Sequence, residues 1–426
     1  MLDIRLFRDA PDHVRGKLRS RGLDGTVVDD VLALDEKRRA LVQRAEAGKA
    51  RRNEISKLIP QRAKAKEPIE ELKEESRKIG EEIAAADAEL AQVEAALDDV
   101  MLGIPNLPAD SAPAGSSEHD NVVRRTHGEA RKFDFAPKPH WEIGEALGIL
   151  DLPRGAKISG SGFYVLKGIG AKLERALISW MLDTHTEKNG YTEFSVPYVV
   201  GAEALRGTSQ LPKFADQLFT IPEDKLYLIP TAEVPVTNLL ANEILEPEQL
   251  PLAYCAHTPC FRREAGAAGR ENRGISRVHQ FHKVELVHIT RPEESAATHE
   301  KLVGHAEDLL KQLGLHYRVL ELCTADIGFG AAKCYDLELW APGMNTWLEV
   351  SSCSNFEAFQ ARRANIKYRA EKGGRPALVH TLNGSGLALP RLVIALLENY
   401  QRADGSVEVP AVLRDRLGVN ELRPGG

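Results

Sequence analysis

From Ile69 to Val100, apolar residues recur at intervals of three and four: Ile69, Leu72, Ile79, Ile83, Ala86, Leu90, Val93, Leu97 and Val100, with Ser76 as the one polar entry. That spacing places one apolar seam along a helix. A polar-rich helix runs before it, from about Val31 towards Pro60, and Pro60 and Pro68 bracket the connection. The pair predicts an antiparallel coiled-coil hairpin over about residues 31–100. At ~1.5 Å per residue, each arm would be roughly 45 Å long. Residues 1–28 read as a short helical lead-in.

Residues 103–120, GIPNLPADSAPAGSSEHD, are rich in Pro, Gly, Ser and Ala, the composition of a linker. Beyond them helical and strand patterns mix. Lys172–Asn189 reads as an amphipathic helix, and Tyr191–Val200 as a strand with Pro197 near its end. TSQLPKFADQLF reads as a loop, LYLIPTAEVPV as a strand entering a helix, and Leu302–Gly314 as a helix. Tyr317–Leu322, Tyr335–Trp340 and Trp347–Ser352 read as successive strands, and Pro390–Tyr400 as a last helix. Strands joined by hairpins, with helices grouped between them, predict an α+β fold in which helices flank an antiparallel β-sheet. The expected division is an N-terminal domain at 1–102, a linker at 103–120 and the α+β domain at 121–426.

Composition narrows the function classes. The 426 residues are 43% hydrophobic and 28% charged, as in an ordinary globular protein. A net charge of −6 argues against a wholly basic nucleic-acid binder, and no DNA partner is expected. The distribution matters more than the sum. Basic residues from Lys37 to Lys66 fill the first helix and the tip of the hairpin, whereas Glu67 to Asp99 is mainly acidic. One face can therefore meet an RNA phosphate backbone; the plain alternative is a charge-paired coil used for dimerisation or spacing. No apolar run is long enough to span a bilayer, and the start, MLDIRLFRDAPD, does not read as a signal peptide. The five cysteines are odd in number and form no C-x-x-C pair. They fit free thiols in a reducing cytoplasm.

Candidate chemistry concentrates in Thr258–Glu285, TPCFRREAGAAGRENRGISRVHQFHKVE. Arg262 and Glu264 are two apart, and so share a face if they lie on a strand; Phe281 and Glu285 are also evenly spaced. Between them lie Arg263, Arg270, Arg273 and Arg277, with Gly266, Gly269 and Gly274. An antiparallel hairpin of this kind would turn guanidinium groups, an aromatic plate and a carboxylate into one cleft suited to phosphates, a flat base and an ammonium or hydroxyl group. The plain alternative is a surface hairpin with a solvated charged loop. Gly160-Ser161-Gly162 and Gly168-Ile169-Gly170 do not complete G-x-G-x-x-G, since Val165 and Leu173 occupy the third places, and no G-x-x-x-x-G-K-[ST] occurs. A doubly wound dinucleotide fold and a P-loop are both disfavoured. His279 and His282, three apart, would point to opposite faces of a strand, which suits packing better than zinc.

These stretches resemble a known family. NGYTEFSVPYVV, TPCFRREAG…RVHQFHKVE and TLNGSGLALPR are similar, in order, to motifs 1, 2 and 3 of class II aminoacyl-tRNA synthetases. LIPTAEVPVTN, WLEVSSCSNFEAFQARR and HTLNGSG resemble bacterial-type seryl-tRNA synthetases in particular, and the N-terminal hairpin resembles that family's tRNA-gripping arm. The resemblance implies a class II catalytic domain that ligates L-serine to tRNA(Ser) through a seryl adenylate, with ATP and Mg²⁺. It implies tRNA(Sec) as a further substrate where that tRNA exists, a cytoplasmic homodimer, and Pro197 near the dimer interface.

It also implies residue roles. Arg262 would hold the α-phosphate and the serine carboxylate, and Arg391 would sit near the γ-phosphate. Glu264 would meet the adenine amino group and Phe281 would stack on the ring. Arg270 and Arg277 would meet the pyrophosphate oxygens, and Arg263, Val278, Val350 and Ser351 complete the ATP wall. Glu349 and Ser352 would supply oxygen ligands to Mg²⁺. Their spacing of three puts them on opposite faces of a regular strand, so a bulge or strand end is expected there. Glu285 and Ser385 would read the serine hydroxyl, with Thr231, Ala232, Glu233 and Asn383 holding the amino group and the pocket floor. The plain reading of Glu285 is a buried ion pair with Lys283 or a nearby Arg. Two stretches depart from the usual pattern: Ser209 stands where the family commonly has Gly, and LALPR, with Pro390, replaces LAVGR. Two other functions remain in view: a serine-activating paralogue serving a carrier protein or secondary pathway, and a non-catalytic RNA-binding homologue. The first is expected to lack the arm, and the second to lose Arg or Glu positions that are present here.

Overall fold

The computed structural model describes residues 1–265 and 273–424. The chain divides into two compact units, Met1–Pro105 and Asn106–Gly426.

In the first unit, two short helices, α1 (Ile4–Asp9) and α2 (Pro11–Ser20), precede two long ones, α3 (Val27–Lys64) and α4 (Glu70–Gly103). The long pair forms the expected hairpin, with one correction. Pro60 does not end the first helix; α3 runs through it to Lys64. A proline inside a helix removes one N–H bond and crowds the preceding turn, yet the reversal comes only at Lys66, whose φ is +59°. The seam is real: Leu72, Ala86, Val93, Leu97 and Met101 of α4 are buried, as are Leu41, Ala45 and Ile55 of α3. At Gly48 the helices come close enough that an added Cβ would lie 2.9 Å from Ile83 Cγ1. Ion pairs cross the hairpin at Lys37–Glu89 (2.8 Å) and Arg51–Glu75 (2.8 Å). Exposed pairs of this kind contribute little stability and exchange readily for other anions.

The second unit is built on an eight-stranded sheet. Its strands are β1 (Val122–His127), β2 (Thr192–Glu193), β3 (Leu252–Phe261), β4 (Gln280–Thr290), β5 (Tyr317–Glu321), β6 (Lys333–Ala341), β7 (Thr346–Glu357) and β8 (His380–Ala388). They lie in the order β1-β5-β6-β7-β8-β4-β3-β2, antiparallel throughout except for β2, which runs parallel to β3. The expected strand Tyr191–Val200 is broken. Its start joins the main sheet as β2, while Val199–Gly201 pairs in a separate three-stranded sheet. Pro197, between them, has no N–H to donate to a ladder.

Three helices, α5 (Ile169–Lys188), α6 (Ser295–Gln312) and α7 (Leu389–Asn399), bury Leu177, Met181, Leu302, Leu309, Leu392 and Leu396 in one core with Val284 and Leu286 of β4. The opposite parity of β4 is thereby left for the other face of the sheet.

From Asn106 onward the Pro- and Ser-rich stretch belongs to the second unit rather than forming a free tether. The Asn106 N–H donates to Phe329 O (2.9 Å), and its side-chain amide donates to Gly330 O and Phe356 O (3.0 Å each). Ala109 N–H donates to Ala332 O (2.8 Å), and Thr324 N–H to Pro113 O (2.8 Å). Prolines in a segment with so few ladder donors suit a strap held by scattered bonds.

Candidate active site

A cleft of about 570 Å³ opens on the open face of β4, β7 and β8. Phe281, Lys283 and Glu285 alternate into it from β4, while Val284 and Leu286 point to the core. Asn383 and Ser385 enter from β8, where Ser385 lies opposite Glu285. Glu349 and Ser352 both enter from β7. The register explains how: Leu337 pairs with Ser351 and Glu338 with Glu349, so Val350 is the extra residue of a bulge. The expected bulge therefore turns a spacing of three to a common side. Arg391 reaches in from the start of α7, where it donates to the Glu349 carbonyl (2.7 Å) and to Ser276 O (3.3 Å).

The even spacing of Arg262 and Glu264 predicts a shared strand face, but β3 ends at Phe261 and Glu264 has a φ of +48°. Both side chains still line the cleft, brought there by a turn rather than by strand alternation. Arg262 donates through Nε to Pro230 O (3.3 Å), and its guanidinium lies 5.4 Å from the Phe281 ring centre. It thus stands between an aromatic plate and the segment carrying Thr231 and Glu233. Arg277 Nε pairs with Glu264 at 3.1 Å.

Three expected residues are not on the cleft wall. Arg263 is exposed, with its N–H bound to Gln217 O (2.9 Å). Ala232 is fully buried, in an apolar cluster with Val236 and Ala256. Ser351 is buried and donates to Ser385 O (2.7 Å), so it supports the wall from behind. Val278 and Val350 do line the cleft. Arg270 lies outside the described residues. His279 and His282 part company: His279 Nδ1 meets Arg262 O (3.1 Å), and His282 Nδ1 meets His257 Nε2 (2.9 Å). Among the described residues, no three His, Cys, Asp or Glu side chains gather as metal ligands. Glu349 and Ser352 remain as a pair of oxygen donors on the wall beside Arg391.

Two family models match the sequence: the seryl-tRNA synthetase N-terminal domain at residues 1–108, and the class II tRNA synthetase core domain (G, H, P, S and T) at residues 218–400. The serine–tRNA ligase of Roseiflexus sp. (strain RS-1) is 56% identical over 422 residues, covering 99% of each chain. That of Herpetosiphon aurantiacus is 54% identical over 420 residues, covering 98% of this chain and 99% of the relative. The chain belongs to the seryl-tRNA synthetase family. Among solved structures, the seryl-tRNA synthetase of Pyrococcus horikoshii complexed with ATP is 40% identical, with a TM-score of 0.95 and all of both chains covered. The cytoplasmic serine–tRNA ligase of Naegleria fowleri in complex with AMP is 30% identical, with a TM-score of 0.90 over 100% of this chain and 99% of the other. The eight-stranded sheet with its helices is the class II synthetase core, and α3–α4 form the coiled-coil arm of the family's N-terminal domain.

Within this seryl-tRNA synthetase cleft, one end holds two acids and a lysine. Lys283 forms an ion pair with Glu285 and donates to Thr231 Oγ1 (3.0 Å), while Thr231 Oγ1 lies 3.1 Å from Glu285 Oε2. The plain reading of Glu285 as an ion-pair partner of Lys283 is thus present, and Glu285 also faces the cleft. Lys283 is missing from the set chosen by sequence, although its place midway between Phe281 and Glu285 on an alternating strand would have found it. Other walls carry no such signal. Ser354, Phe356 and Gly330 enter the cleft only because β7 and the 328–331 turn are folded beside it.

Glu233 is 6% exposed and accepts from Gln360 Nε2 at 2.6 Å. Thr381 Oγ1 donates to the Gln360 carbonyl oxygen (2.7 Å), which fixes the amide with its NH₂ towards Glu233. Burial first, and then the charge of Glu285, push the Glu233 carboxyl up to about 7 from its ordinary 4.5. A raised carboxyl favours the folded state most below the ordinary value, and that contribution is lost as pH rises through about 7. A bound ammonium would reverse the preference by stabilising the carboxylate. Serine affinity should therefore strengthen by up to roughly tenfold per pH unit as pH rises towards 7 and level off above it. Glu233→Gln should bind weakly with a flat profile, as measured by calorimetric titration between pH 5.5 and 8.5. A flat profile for the unsubstituted enzyme would count against an ammonium site at Glu233.

Proposed function

We propose that the chain ligates L-serine to tRNA(Ser) in two steps through a seryl adenylate, using ATP. The observation that carries this reading is the position of Arg262, between the Phe281 ring and the pocket of Thr231, Glu233 and Glu285. One guanidinium can there hold both reacting partners, an α-phosphate on one side and an amino-acid carboxylate on the other.

The serine carboxylate is already an anion, so its attack on the α-phosphorus needs no general base. What lowers the barrier is fixed positive charge at the reacting phosphate and at the departing pyrophosphate. Arg262 supplies the first, and Arg391 and Arg277 supply the second. Phe281 stacks on adenine and Glu264 accepts from its amino group. Glu233 takes the serine ammonium, while Glu285, held by Lys283 and Thr231, accepts from the serine hydroxyl. A site built around that hydrogen bond rejects alanine, and the tight floor of Asn383 and Ser385 excludes the extra methyl of threonine. Glu349 and Ser352 fit as the two protein ligands of Mg²⁺, which commonly retains phosphate and water for its other positions. When bound there, the ion would neutralise phosphate charge.

In the second step a terminal ribose hydroxyl of the tRNA attacks the seryl carbonyl and AMP leaves. The basic residues of α3 bind the tRNA, aided by the weakness of their exposed pairs with α4. tRNA(Sec) is read as a second substrate, and the cytoplasm as the place of action. The enzyme is read as a homodimer with Pro197 near the interface. Tyr198 and Val199 support that placement, standing 43% and 37% exposed beside it.

Arg262→Ala should lower serine-dependent ATP–pyrophosphate exchange by about a thousandfold or more; near-normal exchange would overturn the assignment of the cleft. Removing residues 31–100 should leave exchange largely intact and abolish charging of tRNA(Ser) and tRNA(Sec) transcripts. Charging that survives the deletion would reduce the arm to a spacer. Sedimentation should give twice the chain mass, and Tyr198→Glu with Val199→Glu should yield monomers. Unchanged dimers would place the interface elsewhere.

A further inference from the structure

Glu264 is given the adenine amino group in the reading above, and the inference below rests on that reading. Its φ of +48° lies in the left-handed region, which a residue with a Cβ occupies only when its surroundings hold it there. No strand ladder does so, because β3 ends at Phe261. Among the described residues, Gln217, in the turn Ala215–Gln217, holds the backbone on either side, while Arg277 Nε pairs with the Glu264 carboxylate at 3.1 Å. The Gln217 carbonyl accepts the Arg263 N–H at 2.9 Å. Its side-chain Oε1 accepts the Ala265 N–H at 3.0 Å, and its Nε2 donates to Ala265 O at 3.4 Å. Nε2 also lies 3.4 Å from Asp216 Oδ2, which favours the amide orientation with Oε1 towards Ala265 N–H. One residue therefore fastens the backbone at Arg263 and at Ala265, on either side of Glu264, and Gln217 itself lines the cleft beside it.

We propose that Gln217 is a positioning residue for adenine discrimination: its side-chain amide fixes the peptide beyond Glu264 and so aims the Glu264 carboxylate at the base. The Arg263 bond uses the Gln217 backbone and survives any substitution at 217. Gln217 is only half-buried, so replacing its side chain removes the second fastening without opening the core.

The test is serine-dependent pyrophosphate exchange with ATP and with purine riboside triphosphate, which lacks the 6-amino group. Gln217→Met should raise KM for ATP by about five- to tenfold, the loss of roughly one hydrogen bond. The preference for ATP over the analogue should fall by a similar factor, while KM for serine and kcat stay within about twofold. Gln217→Glu keeps an acceptor for the Ala265 N–H and should recover most of the preference. Glu264→Ala should remove the preference, and adding Gln217→Met to it should have no further effect. If Glu264→Ala leaves the preference unchanged, the adenine role of Glu264 fails and the inference falls with it. If Glu264→Ala removes it but Gln217→Met does not, the Glu264 role stands and the positioning role is overturned. Equal rises in both KM values in Gln217→Met, with a lowered Tm, would show a general structural effect and would also overturn it.

Discussion

Strand β4 serves two environments at once, and the rest of the structure depends on that division. Val284 and Leu286 are locked into the core beneath α5, α6 and α7. Their burial fixes the register, because a slip of one residue would send charged side chains into that core. Phe281, Lys283 and Glu285 are thereby committed to the cleft. The neighbouring strands follow: pairing across β4 and β8 sets Ser385 opposite Glu285, and the bulge at Val350 brings Glu349 and Ser352 to the same side.

On this frame the cleft separates its charges. Arg262 lies over the Phe281 plate and Arg277 and Arg391 line the same cleft, whereas Glu233 and Glu285 are buried together with Lys283, which pairs with Glu285. Two buried carboxylates side by side are costly. The structure lowers that cost with one ion pair on Glu285 and a raised protonation range on Glu233. The same arrangement suits a ligand that brings its own ammonium group, since binding then completes the neutralisation.

The described ends of the 263–275 segment are each held by a residue from elsewhere in the chain. Gln217 grips Arg263 and Ala265. Buried His140 accepts the Ile275 N–H at Nε2 (3.0 Å) and meets Glu398, at the far end of α7, through Nδ1 (3.1 Å). Gly274 is required there, because a Cβ would lie 2.0 Å from His140 Nε2. One helix, α7, therefore carries Arg391 into the cleft at its start and braces the approach to Ser276 and Arg277 near its end.

Much was legible in the sequence. Period and composition alone predicted the helical hairpin, the α+β class and the charge asymmetry of the arm, because seams and alternation are local patterns. The resemblance added the family and most of the cleft. Other features could not be read locally. Pro60 lies within α3, although its local preference is to end or kink a helix. Arg262 and Glu264 share the cleft through a turn fixed by Gln217, and the Pro-rich stretch is tied down by Asn106 to carbonyls more than two hundred residues away. The sequence by itself determined which chemical groups are present and, by alternation, that Phe281 and Glu285 share one strand face. Tertiary structure alone decided which of them meet, because hydrogen bonds between distant segments set the turn at Glu264, the Glu233–Gln360 contact and the Lys283–Glu285–Thr231 cluster.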